Sequence, residues 1–219
     1  MDRGPGPYFL LVLLALTSVA AGVIADQVTD GVLLDVLVAS RSTIASSVPV
    51  AASEETAASV GSAVQVLVTG EAPPPGSTET ILKWLESPFR ALGILANNLL
   101  PITYVLIAYG LGEALSKRTR DVRFSKVGSA LSLGPLPING FTAGLVLSTA
   151  LREVGIEATS LLSVVPFSEL IALSLVLIAP AARLTAGTRG FGDLLGRLPL
   201  AVLLLAFSAS IESWFISLT

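Results

Sequence analysis

Along most of this chain apolar positions do not alternate with polar ones but run on unbroken. Five stretches are apolar for roughly the 20 residues a helix needs to cross a hydrocarbon core about 30 Å thick. They are Tyr8–Ala25, Leu92–Leu115, Leu131–Leu151, Ser160–Pro180 and Leu198–Leu218. They predict an all-α fold, an integral membrane bundle of five transmembrane helices. Residues 1–25 form the tail and first span, 26–90 an outer segment between helices one and two, and 91–219 the membrane core. The small residues Ser18–Gly22 after Asp2-Arg3 also suit a cleaved signal peptide. The length of the run and its single Arg favour a retained helix.

The outer segment reads differently. Val28, Val32 and Val36, beside Leu33 and Leu37, recur every four residues and predict an amphipathic helix leaving the first span. Ser, Ala, Val, Thr and Glu dominate from Ser40 to Glu71, and Pro73-Pro74-Pro75-Gly76 forms a stiff hinge. Ile81, Leu82, Trp84 and Leu85 then predict a short interfacial helix, with Glu79, Lys83 and Glu86 on its polar side.

Composition narrows the function. The chain is 53% hydrophobic and 13% charged, against roughly 25% charged in soluble domains. Its mean hydropathy is +0.80. A net charge of −3 without a basic domain excludes a nucleic-acid partner. With no His and no Cys there is no Ser-His or Cys-His dyad, thiolate metal site or disulfide. No catalytic residue, cofactor or metal ligand is expected, and the reading is of a protein that is not an enzyme. Gly190-x-Gly192-x-x-x-Gly196 has the wrong spacing for a phosphate loop and reads as plain loop.

Charge orients the spans. Lys117, Arg118, Arg120, Arg123 and Lys126 crowd the segment 116–130, and Arg183, Arg189 and Arg197 the segment 181–197. Both are expected inside, where the basic residues near the Gly190–Gly196 loop could touch lipid headgroups. The acidic outer segment and the Arg152–Glu157 connection are expected outside. The N-terminus is then cytoplasmic, the C-terminus extracytoplasmic, and the location a cell membrane.

Polar residues within the spans are the candidate site, because a carboxylate at a helix centre costs about 2.5–3.5 kcal/mol on insertion scales. Glu169, Asn139, the Asn97-Asn98 pair and Glu212 are the members. At about 1.5 Å per residue, Asn139 falls roughly 12 Å from the inner end of span three and Glu169 roughly 14 Å from the outer end of span four. Asn98 and Glu212 each fall roughly 9 Å from the outer face. Two layers are expected: Asn139 with Glu169 near the midplane, and Asn97 or Asn98 with Glu212 nearer the outside. Polar side chains in bundles also serve simply to tie helices together. Pro135 and Pro137 delay the start of span three, and Gly140, Gly144 and Ser148 form a small-residue stripe for close helix packing. That stripe suits an intramolecular contact and a homo-oligomer equally.

Several ordered motifs carry a resemblance over Pro88–Thr219. They are Phe89 to Asn97-Asn98-Leu99, Gly110-Leu111-Gly112, Asn139-Gly140-x-x-x-Gly144, Glu169-Leu170-x-Ala172, Arg183-Leu184-x-x-Gly187 and Ala209-Ser210-Ile211-Glu212. In this order they resemble the stage II sporulation protein M (SpoIIM) family of polytopic membrane proteins. Many members of that family place Pro-His-Gly shortly before the Glu of span four. This chain has Val164-Val165-Pro166 there, so a role resting on that His is absent. The family's sporulation member holds peptidoglycan hydrolases at a septal membrane. The resemblance implies a non-enzymatic scaffold or anchor for membrane or extracytoplasmic proteins, without implying spore formation. The alternative from the residues is a small-solute or ion transporter subunit using Glu169 and Asn139.

Overall fold

A computed structural model describes residues 6–33, 36, 78–187 and 190–217. Among them every regular element is helical: α1 (Pro7–Thr29), α2 (Thr78–Thr119), α3 (Val122–Ser132), α4 (Pro135–Leu162), α5 (Val164–Thr185), α6 (Phe191–Leu195) and α7 (Leu198–Ser217). Five units are long and apolar enough to cross a membrane: Pro7–Thr29, Ala91–Thr119, Val122–Arg152, Val164–Thr185 and Phe191–Trp214. The expected all-α five-span bundle is therefore what the chain forms. The region 40–76 lies outside the described residues, as does most of the amphipathic repeat beyond Leu33.

Four boundaries differ from the expectation, each for a local reason. Span three begins at Val122, not Leu131, because α3 and α4 together make the crossing. The basic segment 116–130 is thus no loop: only Arg120 and Asp121 stand between α2 and α3. Arg123 and Lys126 lower the hydropathy of α3 and conceal it. Span four begins at Val164, not Ser160, because α4 runs on to Leu162 past a break at Gly155 (φ 80°, ψ −179°), a conformation open mainly to glycine. The loop expected between Gly190 and Gly196 contains α6, whose Leu194 is fully buried. The short interfacial helix expected around residues 79–86 is not separate but continues directly into span two as part of the 42-residue α2.

The break expected from Pro135 and Pro137 falls inside span three rather than at its end. α3 stops at Ser132, Leu133 and Gly134 intervene, and Pro135 opens α4, where its missing N–H costs nothing. The Gly134 N–H donates to the Leu131 carbonyl and the Leu136 N–H to that of Leu133, so the break leaves these groups bonded.

Two glycine seams set the packing. In lipid there is little hydrophobic force between helices, so close backbone approach matters more. On α1, Ser18, Gly22 and Asp26 are buried at four-residue intervals. They face Gly140 and Gly144 of α4, with Ser148 half-buried at the next interval. A Cβ on Gly144 would strike the Val19 carbonyl, and one on Gly22 the Phe141 carbonyl. The stripe is therefore occupied within the chain, by α1. The second seam joins α2 to α3, where a Cβ on Gly112 would come within 2.8 Å of Gly128 Cα.

α5 is the central helix. Among the described residues it packs against all six other helices, and it is the most buried of the five spans. Ala172, Ala179, Ala181 and Ala182 let neighbours close in from several sides. α3 is built inside out: its buried residues are Ser125, Gly128, Ser129 and Ser132, while Val122, Phe124, Val127 and Leu131 face outward. That pattern suits a helix whose outer face meets hydrocarbon rather than water.

Candidate functional site

Glu169 sits five residues into α5, at a junction with α2 and α7. Asn98 Nδ2 on α2 donates to Glu169 Oε1 at 2.5 Å. Ser208 Oγ on α7 is 3.4 Å from the same oxygen and 3.3 Å from the Val165 carbonyl. Ser208 is fully buried, while Asn98 and Glu169 are half-buried. Counted from the span ends at about 1.5 Å per residue, Asn98, Glu169 and Ser208 all lie roughly 8–11 Å from one end of the bundle. Glu169 is therefore not at the midplane. The earlier count placed it there because span four was started four residues too soon.

The expected Asn139–Glu169 layer is not formed. Asn139 Nδ2 donates to the Pro135 carbonyl at 2.8 Å, one turn back on α4, and so supports the first turn after the break. Asn98, expected beside Glu212, is the residue that meets Glu169. Asn97 faces outward. Glu212 is half-buried on α7, one turn beyond Ser208.

A second polar cluster lies toward the other end of α2, α3 and α5. Ser125 Oγ donates to Glu113 Oε1 at 2.5 Å. Arg183 Nε lies 2.7 Å from Ser125 Oγ, to which it donates, and 3.2 Å from Glu113 Oε1. Arg183 Nη1 donates to the Gly187 carbonyl at 2.9 Å, so this side chain also closes the end of α5. Tyr109, fully buried one turn from Glu113, meets the Phe191 ring of α6 with centroids 6.1 Å apart. The pattern of hydrophobic runs missed this cluster. The signal was present as Ser125, Gly128, Ser129 and Ser132 at helical spacing, but it lay in a segment read as a basic loop. Arg183, expected to reach headgroups, is instead held in an ion pair.

A third cluster joins α1 to α4. Thr149 Oγ1 donates to Asp26 Oδ1 at 3.0 Å. Arg152 Nη1 lies 3.9 Å from Asp26 Oδ2 and 3.7 Å from Asp30 Oδ1. Asp26 is 1% exposed, and its Oδ2 accepts no hydrogen bond. Gly31, with φ 85°, lies under the Arg152 guanidinium, which a Cβ there would strike.

These groups can accept, donate and neutralise charge between helices. Among the described residues, no three acidic, His or Cys side chains converge to hold a metal ion. Comparison of the chain with protein-family models, with curated proteins and with solved structures finds no significant match.

Proposed function

We propose that this multi-pass membrane protein is a non-enzymatic scaffold, an anchor of SpoIIM-like type that holds partner proteins through its outer segment or its inner surfaces. One observation carries the reading: the bundle's charged and polar side chains are used to lock helices together. Glu169 binds α2 and α7 to α5, Glu113 and Arg183 bind α2, α3 and α5, and Asp26 with Thr149 and Arg152 binds α1 to α4. A rigid platform suits an anchor. The crowding of Lys117, Arg118, Arg120, Arg123 and Lys126 at the α2–α3 turn supports a cytoplasmic placement of that end, with the N-terminus inside and the C-terminus outside.

Affinity purification from cross-linked native membranes tests the proposal, comparing wild type with a chain lacking 35–76. A stoichiometric partner lost on deletion is expected. Recovery of the protein alone from both would overturn the scaffold and favour the transporter reading. In that case Glu169→Gln in liposomes should abolish solute or ion flux while the protein assembles normally.

A further inference from the structure

We infer that the tip of the α2–α3 hairpin is a docking surface for the headgroups of anionic phospholipids. Lys117, Arg118, Arg120, Arg123 and Lys126 are all exposed there. Among the described residues none of the five is in an ion pair; the basic side chains that are paired are Arg152 and Arg183. The single carboxylate of the tip, Asp121, is engaged in capping α3, where it accepts the Arg123 N–H at 2.9 Å. The field at the tip is therefore strongly positive. The turn that presents it is tightly formed, with Arg120 in the left-handed region at φ 58° and the Asp121 N–H on Thr119 Oγ1.

A second observation fixes the level of this surface. Leu111 and Leu115 on α2, and Val122, Phe124 and Val127 on α3, are all exposed just beneath or between the cations. Side chains of this kind belong in hydrocarbon. Their position brings the lipid up to the last turn of α2 and the first turn of α3, and the long Lys and Arg stems then carry their charges to the phosphate layer. A soluble acidic partner would leave the apolar collar in water. Among the described residues at the opposite end of the bundle, Arg152 is shared between Asp26 and Asp30.

The test uses the purified full chain in a neutral detergent, titrated with phosphatidylglycerol, phosphatidylcholine or inorganic phosphate while thermal unfolding is followed. Phosphatidylglycerol alone is expected to raise the midpoint, and the rise should shrink at high salt. Each cation near an anionic surface contributes roughly fivefold in affinity. The triple variant Arg120→Gln, Arg123→Gln, Lys126→Gln should therefore need at least about tenfold more phosphatidylglycerol for the same rise. Equal stabilisation by phosphatidylcholine, stabilisation by phosphate alone, or an unchanged response in the variant would overturn the inference. If the triple variant unfolds, Lys117→Gln with Arg118→Gln gives the same reading from the end of α2.

Discussion

Glu169 and Glu113 are both acidic residues inside an apolar bundle, yet they are held by different chemistry. Asn98 and Ser208 are among the groups that meet Glu169, and Glu113 is met by the Arg183 guanidinium as well as Ser125. Removing one member of a buried ion pair strands the other, so Glu113→Ala should cost about 3 kcal/mol. The double variant Glu113→Leu, Arg183→Leu should be less damaging than either single change. A double-mutant cycle followed by thermal unfolding in detergent checks this, and equal losses in all three variants would refute it. At the other site Asn98→Ala should cost about 1–3 kcal/mol by leaving an acceptor underused. Glu169→Gln keeps most of the hydrogen bonding and should change stability by less than about 1 kcal/mol. A larger loss for Glu169→Gln than for Asn98→Ala would show that the charge itself holds the junction.

At the scale of elements, the two polar ties define a ruler. Asn98 and Glu113 are fifteen residues apart on α2, and Glu169 and Arg183 fourteen apart on α5, which runs parallel to it. At 1.5 Å per residue both intervals come to about 21–23 Å, less than a 30 Å hydrocarbon core. The two helices match because their ties match. That register was not legible in the sequence. Glu169 itself was plain, as a carboxylate in an apolar run, but its partner depends on helix depth, and depth depends on where each helix starts. The break at Gly155 and the cations of α3 shifted two starts and so exchanged Asn139 for Asn98. The glycine stripe of α4 was legible from spacing alone, yet its partner was not, because Ser18, Gly22 and Asp26 are scattered through an otherwise apolar helix. Gly144→Leu should force α1 from α4 and cost at least about 2 kcal/mol, whereas Gly192→Ala, with open space around its Cβ, should leave the unfolding midpoint unchanged. Comparable losses for both would show that the seam is not close-packed in the membrane.

For the whole molecule, the expected five-span topology puts the α2–α3 turn and the Gly155 break on opposite sides of the membrane. Because the chain has no Cys, single cysteines report on sidedness without background. Arg120→Cys and Gly192→Cys should react with an impermeant maleimide only in inverted vesicles, and Ile156→Cys, whose side chain is 75% exposed, only in right-side-out cells. Labelling of Arg120→Cys and Ile156→Cys from one side would break the five-span topology. The number of spans was readable from hydropathy because each is a long apolar run. The order in which they find one another was not. The hydroxyl that meets Asp26 belongs to Thr149, 123 residues later. At roughly 5–20 residues per second of synthesis, α1 spends about 6–25 seconds in the membrane before that partner has been made. Throughout that interval its glycine groove has nothing to close on, and Asp26 must stay at the water's edge. Of the ties described, that of α1 thus spans the longest stretch of synthesis, and a ribosome stalled before Gly140 leaves it open.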